Sequence, residues 1–512
     1  MKHNQVRIGA LLSYVNTFVG VFVGMLYVPL VLKILSIEEY GLYQVVGAIT
    51  AYLGLMDLRL ATTTVRYYSQ ALATGNEKRQ QEVLSTSYLL FLGMAALLLA
   101  LGLPITKLFS VVYAPTLTIQ QFAQGIIMVW LGVGSFAIAF PTHVFSAVIN
   151  SHERFIFLRL VSILSSIIKP FLSYALLIMH PMAVTLSFVQ LLLSIGMFIA
   201  YYIYNRGILH VRFTVRAFRK DLARDMLKFS FFLIIIAIVD QVYWQAGKLF
   251  LGALVGTASV ALFSFAVQIT RYYVTISSSL NSLLFPRISK LVVAIEENVN
   301  ELNRLFIRYS RVQGMILMLI LSGFILYGKQ FIGLWIGQQY DQVYYLTLAF
   351  MIPFTWDLTQ NFGISVLNAM NKHKYRAWLY SLVVLMYIIL CYPIVKRFGA
   401  VGCAVLSGAC ILVGNGFGLS ILYSRLAHLR MRSYFFWMLR LLPCTLIALA
   451  PGYFLLIRYP IFSWFGLVVQ GMLFCIVYGI AIYFLYFSQD ERLEVGKKVA
   501  SLSKKFLKSK DV

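Results

Sequence analysis

The sequence predicts an all-α, polytopic membrane protein of about fourteen transmembrane helices, and three observations carry that prediction. The 512 residues are 60% hydrophobic and only 12% charged, whereas about a quarter of a soluble domain is charged. Apolar runs of about 20 residues, the length that spans a hydrocarbon core about 30 Å thick, recur along the whole chain. Lysine and arginine concentrate in alternate connections between those runs, as the positive-inside bias requires.

Taken in order, the runs lie near 8–32, 40–63, 83–104, 119–149, 155–178, 182–204, 226–252, 257–285, 309–328, 342–368, 376–395, 400–424, 434–457 and 462–487. The first is long enough to span and lacks a small-residue cleavage site, so it reads as a span, not a removable leader. The second and tenth are the least uniform. With the N-terminus inside, the inner segments hold 33 lysines and arginines. The outer segments hold six: Lys33, Lys107, Lys329, Lys396, Arg397 and Arg458. That alternation places both termini of a multi-pass membrane protein in the cytoplasm. A net charge of +25 would also suit a nucleic-acid binder, but that needs a soluble fold to carry a basic face. Anionic inner-leaflet lipids are the expected partners of the excess charge, and nucleic acid is not.

The outer connections are too short to house a folded domain. The longest polar insert, 205–225, is basic and central. The tail, 488–512, alternates apolar residues with lysine, which fits either a helix on the inner leaflet or a solvated basic tail. All five cysteines lie in apolar runs without metal-ligand spacing, and His143 and His152 have no such spacing either, so no metal or cofactor is expected.

An internal repeat divides the chain at the basic insert. Ser36-Ile-Glu-Glu-Tyr-Gly-Leu-Tyr43 corresponds to Thr257-Ala-Ser-Val-Ala-Leu-Phe263, and Val65-Arg-Tyr-Tyr-Ser69 to Phe285-Pro-Arg-Ile-Ser289. Asn76-Glu-Lys-Arg79 corresponds to Asn298-Val-Asn-Glu301, and Val148-Ile-Asn150 to Val366-Leu-Asn368. Four matches in order at a nearly constant offset imply two six-span lobes, 1–204 and 226–424. Two further spans over 434–487 follow. An even number of spans per lobe inserts both the same way, giving a parallel pseudo-two-fold repeat, an arrangement that encloses substrate sites in transporters.

Trp244-Gln-Ala-Gly-Lys-Leu-Phe-Leu-Gly252, running into Gly256-Thr-Ala-Ser-Val-Ala-Leu-Phe263, resembles the seventh-to-eighth-span signature of lipid-linked oligosaccharide flippases. Ser36–Tyr43 resembles that family's first external turn, and Ile149-Asn-Ser-His-Glu-Arg-Phe155 with Lys169-Pro170 its fourth-to-fifth connection. These segments are similar to the polysaccharide transporters of the multidrug/oligosaccharidyl-lipid/polysaccharide exporter superfamily, of the O-antigen and teichoic acid export type. The resemblance implies a fourteen-helix transporter, not an enzyme. It would flip a polyprenyl-pyrophosphate-linked oligosaccharide to the outer leaflet by alternating access, for O-antigen, capsule, exopolysaccharide or teichoic-type assembly. Polysaccharide polymerase machinery would be a partner. The chain departs from the family at Gly247, where many relatives have Asp, and at Asp57-Leu58-Arg59, where many read Asp-x-Gly.

An ionisable group at membrane depth costs about 2.5–3.5 kcal/mol on insertion scales unless it meets water or a partner. Seven lie there: Asp57, Arg59, Lys169, Asp240, Lys248, Arg271 and Asp357. Arg59 and Arg271, in the second span of each lobe, are the candidates to bind the pyrophosphate, because a planar guanidinium donates two hydrogen bonds to one phosphate. Lys248 and Lys169 would add positive potential along the path, and Asp240, Asp357 and Asp57 are candidates for ion coupling. The alternative reading is structural: Asp57 and Arg59 satisfy neighbours, Asp240 and Lys248 pair two turns apart, and Lys169 snorkels outward. Trp244, Trp356, Tyr272 and Tyr273 could stack on sugars or simply pack, and Pro29 and Pro353 could kink moving or static helices.

Two rival functions remain at this level. A cation-coupled multidrug exporter of the same superfamily would favour an acidic and aromatic lining. A membrane-embedded glycosyltransferase or polymerase would need paired carboxylates or a metal site, and the only outer acids are Glu38, Glu39 and Asp341.

Overall fold

The fold is that of a computed structural model, which describes residues 2–57, 59–211, 216–282, 295–370, 372–489 and 491–493. Sixteen α-helices run through these residues, with no strand among them. The first nine are α1 (Lys2–Leu32), α2 (Ile37–Leu53), α3 (Leu60–Ala73), α4 (Glu77–Tyr113), α5 (Ile119–Ser151), α6 (Phe155–Met179), α7 (Ala183–Gly207), α8 (Lys220–Leu254) and α9 (Thr257–Ser282). They are followed by α10 (Ile295–Trp335), α11 (Gln342–Leu358), α12 (Asn361–Ala369), α13 (His373–Ile411), α14 (Leu419–Ala427), α15 (Met431–Arg458) and α16 (Trp464–Ala481).

Among the described residues ten helical runs are long and apolar enough to cross a membrane. That number reconciles with about fourteen spans by named exceptions. The seventh and eighth spans, α8 and α9, fall outside the ten, and the tenth is broken into α11 and α12. The run 374–427 counts once but crosses twice. Within it Tyr387 meets Cys403 (3.5 Å) and Ser407 Oγ (3.1 Å), residues that a straight helix would hold about 24–30 Å apart at 1.5 Å per residue. The chain doubles back at Gly399, whose φ of 58° and ψ of −140° are open to a residue without a Cβ.

Both runs that are least uniform in sequence are broken in the fold. The second is α2 and α3 separated by a 3-10 turn at Gly54–Asp57, and the tenth is divided at Thr359–Gln360. The matched segment Phe285–Ser289 and the lysine-rich tail beyond 493 lie outside the described residues.

Contacts divide the chain into two compact units, 1–267 with 384–407 and 268–383 with 408–512. These units follow packing, whereas the expected lobes follow the repeat. The second lobe's opening helix α8 therefore packs with the first unit.

Each unit sorts its helix ends as alternate crossing demands. In the first, the end of α5 meets the middle of α3, where Ser151 Oγ donates to the Val65 carbonyl (3.4 Å). The start of α8 joins α4 there: the Arg219 amide donates to Thr86 Oγ1 (3.1 Å), and its guanidinium meets Glu82 (3.5 Å). Glu82 is buried yet also paired with Arg79 at 3.1 Å, so its carboxylate is compensated. At the opposite end the Ala183 amide donates to Glu39 Oε2 (2.7 Å), and Thr116 Oγ1 to the Gly252 carbonyl (2.9 Å). Here Gly41 seats α2 on α9: a Cβ there would lie 1.9 Å from the Thr257 carbonyl oxygen.

In the second unit, the starts of α10 and α15 gather with the end of α14. Asn303 Nδ2 donates to the His428 carbonyl (3.1 Å), and Lys372 Nζ to that of Leu426 (2.9 Å). At the other end Phe331 of α10 meets Trp464 of α16, with ring centroids 5.9 Å apart. The chain leaving α16 is latched by Glu491, whose carboxylate lies 2.8 Å from the Arg311 guanidinium. Burial pushes this carboxyl up, but hydrogen bonds from Arg311 and Ser488 outweigh it and hold Glu491 below its ordinary pKa.

Two predictions follow from this packing. Gly41→Ala should destabilise the protein by about 1–3 kcal/mol through overpacking, while Gly47→Ala, where nothing lies within 4 Å of the added Cβ, should not. Thermal melts in detergent compare the two. The lowered Glu491 pKa means that the latch stabilises above the unfolded carboxylate range and is lost as pH falls through the folded value. Glu491→Gln should therefore lower the neutral-pH melting temperature on the order of 1–2 °C, as a partly exposed pair allows. The gap to wild type should close in acid below about pH 4.

Candidate functional site

Helix breaks position the polar groups of the first unit. After the turn at Gly54–Asp57, Arg59 adopts left-handed backbone (φ 54°) before α3 begins, a conformation costing an L-residue about 1–2 kcal/mol. The Asp57 carboxylate offsets part of that cost by accepting from the Arg59 amide at 2.8 Å. Arg59 is exposed and Asp57 half-buried. His143 on α5, an ordinary polar position by sequence, lies within electrostatic reach of Asp57. The Asp57–Arg59 segment is thus a corner held by a carboxylate, and the Arg59 side chain projects beyond it.

Lys248 on α8 donates to Gln44 Oε1 on α2 (3.1 Å), and Gln44 Nε2 in turn meets the Tyr40 hydroxyl (2.8 Å). Tyr40 stacks on Phe265 at 5.1 Å. Among the described residues Asp240 forms no ion pair, and it is exposed, so the two-turn pairing with Lys248 does not occur. Beside Lys248, a Cβ on Gly247 would lie 2.7–2.9 Å from Phe263, Cys403 and Tyr387. A larger side chain here would have to displace the ends of those three side chains. Lys169 on α6 donates to Gln190 Oε1 (3.3 Å) and sits 5.9 Å from the Tyr27 ring.

In the second unit Arg271 is exposed on α9, two residues before the buried Tyr273. The Tyr273 hydroxyl meets Thr355 Oγ1 (2.6 Å) and donates to the Leu317 carbonyl (3.1 Å). Asp357 is only 7% exposed. One of its oxygens has no hydrogen-bond partner among the described residues, while the Asn415 side chain bonds the carboxylate and Arg376 acts on it electrostatically. Asn415 stands in a π-helical segment, Leu412–Gly418, a distortion that often marks functional positions. Ser420 Oγ donates to Gln360 Oε1 (3.1 Å) and Thr359 meets the Tyr434 hydroxyl (2.6 Å), so a polar seam lies beside this acid.

Sequence reading missed Gln44, His143, Arg376 and Asn415. The last had a signal, since alternating glycines in Gly414-Asn-Gly-Phe-Gly418 permit close packing and helix distortion. Among the described residues no three His, Cys, Asp or Glu gather as a metal would need. What the arrangement offers chemically, among the described residues, is cation donors in the expected spans and the buried carboxylate of Asp357.

The family model for "Polysaccharide biosynthesis protein" matches residues 8–292, more than half of the chain. The chain belongs to that family. A candidate O-antigen transporter of Shigella flexneri is 22% identical over 404 residues, 76% of this chain and 90% of that one. The fold is similar to that of the lipid II flippase MurJ in an inward closed conformation, with a TM-score of 0.74, 14% identity, and 94% and 98% of the two chains covered. An inward-facing MATE multidrug transporter gives a TM-score of 0.64 at 14% identity, covering 80% and 96%. A Vibrio cholerae MATE transporter gives 0.54 at 12%, covering 85% and 99%. This member of the polysaccharide biosynthesis family is therefore a multi-pass membrane transporter and not an enzyme, on a fold shared by flippases and multidrug exporters.

A double-mutant cycle tests the buried acid. Arg376→Gln should destabilise the protein more in the Asp357 background than in Asp357→Asn, with a coupling on the order of 0.5–3 kcal/mol measured by thermal or denaturant melts.

Proposed function

We propose that this chain flips a polyprenyl-pyrophosphate-linked oligosaccharide from the inner to the outer leaflet of a bacterial inner membrane, by alternating access, for surface-polysaccharide assembly. Its termini then face the cytoplasm, and the two repeat lobes, 1–204 and 226–424, are the moving bodies. The observation that carries the proposal is the family match over 8–292, to which the named O-antigen and lipid II transporters add their substrate class.

Arg59 in the first unit and Arg271 in the second are each assigned as a diphosphate ligand, since each is an exposed cation in a span expected to be apolar. The guanidinium fork fits two phosphate oxygens where an ammonium offers a point charge. Lys248 and Lys169, each anchored by a glutamine oxygen, supply fixed positive potential without serving as primary ligands. Asp357 is the acid best suited to couple ion entry to the cycle, being buried beside Asn415 and Arg376. Asp240 and Asp57 are weaker candidates, because one is exposed and the other is engaged with the Arg59 amide. The same buried acid favours a second reading, a cation-coupled multidrug exporter, on the fold shared with MATE transporters.

Complementation of a deletion strain separates the readings. Arg271→Ala and Arg59→Ala should each lower surface-polysaccharide export at least about tenfold, the effect of losing one charged phosphate contact. Membrane abundance should stay unchanged, and lysine should restore part of the loss. Unchanged export in both alanine variants overturns the binding assignment. Loss of drug resistance with intact surface glycan would favour the exporter.

A further inference from the structure

Where α10 and α15 begin and the chain leaves α16, the second unit carries an open cavity of about 710 Å³ lined by Arg304, Arg308, Arg311 and Arg430, with Asn300 and Trp437 among its other walls. Asn300, Arg304, Arg308 and Arg311 share one face of α10 by helical spacing. One carboxylate, Glu491, reaches the cavity, and it is committed to Arg311 at 2.8 Å. Arg304 and Arg308 are exposed, and among the described residues neither they nor Arg430 form an ion pair. Arg430 instead donates to the neutral Asn300 side chain (2.8 Å), and its amide to Asn303 (2.6 Å).

Four guanidinium groups around one cavity repel each other and focus positive potential. Among the described lining residues one acid stands against four cations, an excess that would draw an external anion.

The surroundings say which anion. Arg311 lies 3.9 Å from the Trp437 ring centroid and 4.9 Å from that of Tyr486, aromatic types that concentrate at headgroup level in a bilayer. Deeper on the same two helices, Met318, Leu321, Met438, Leu439 and Leu442 help line a second cavity of about 280 Å³ that is almost wholly apolar. It opens two turns beyond Arg311 on α10 and one residue beyond Trp437 on α15. A basic pocket over an apolar groove matches the division of a phospholipid into phosphate headgroup and acyl chain. A free phosphate has no use for the groove, and an acidic protein segment has none for its depth.

We propose that this cavity binds the phosphate headgroup of an anionic phospholipid from the leaflet beside it, with an acyl chain in the groove between α10 and α15. The lipid would tie the last two spans to α10. The site uses none of Arg59, Arg271, Lys248 or Lys169, so it stands whether or not the flippase reading holds.

Native mass spectrometry of the full-length protein in mild detergent, titrated with phosphatidylglycerol or phosphatidylcholine, tests the proposal. Wild type should prefer phosphatidylglycerol, and Arg304→Gln/Arg308→Gln should reduce that preference about tenfold, since each cation near a lipid surface adds to binding. Arg304→Lys/Arg308→Lys should keep most of it, and melting temperatures should match wild type. Should the glutamine pair fail to fold, Ser433→Asp, which places an acid on the cavity wall, must give the same loss. An unchanged preference in the folded variants overturns the site. Displacement of the lipid by inorganic phosphate alone reassigns it to a small anion. Tight binding of an acidic peptide, indifferent to lipid type, reassigns it to a protein partner.

Discussion

The constraint on which this structure depends is that hydrocarbon offers backbone groups no water. Each amide and carbonyl at membrane depth must be satisfied within the chain, so spans are helical by default, and a departure from the helix requires a polar partner. The breaks in this fold obey that rule. At the first, Asp57 accepts the amide of the left-handed Arg59. In the π-helical segment, Gln360 donates to the Gly416 carbonyl (3.3 Å). The polar side chains in these spans are best understood as attached to the breaks first, and available for substrate or ions because the breaks hold them in place.

The same constraint explains what could be read from the sequence. Hydropathy and positive charge act on each segment separately as it meets the bilayer, so span number and alternation are local properties and were legible. Even the broken spans left a trace, because the residues that staff a break, Gly54 and Asp57 or Thr359 and Gln360, interrupt the apolar run. Partners across the fold left none. Nothing near Lys248 indicates that Gln44 accepts its hydrogen bond, and nothing in Asp357 points to Asn415 or Arg376. Spacing did place Asp240 on the same side of α8 as Lys248, but a shared helix face is permission to pair, and a closer acceptor on α2 took the donor.

Gly41 links the repeat to the packing. The segments matched in sequence as Ser36–Tyr43 and Thr257–Phe263 are the ones brought together there, close enough that a Cβ on Gly41 would overlap Thr257. Both segments lie within the first unit, and the close seat of α2 on Thr257 helps explain why packing joins α8 and the start of α9 to that unit although the repeat assigns them to the second half.

The positive charges then separate by what surrounds them, a finer distinction than depth. Arg311 counts by position among the charges that set orientation, yet its side chain is only 13% exposed, stacked on Trp437 and clamped by Glu491. Arg308 and Arg304, one and two turns away on the same helix, carry the same charge and among the described residues form no ion pair. A charge that only oriented a span would need no such architecture, since the positive-inside bias acts on sequence before the fold exists. Arg311 is accordingly part of the wall, and Arg304 and Arg308 beside it on the same face of α10 are the part that a ligand would neutralise. By the same distinction, the ammonium groups of Lys248 and Lys169 are directed at glutamine oxygens within the first unit.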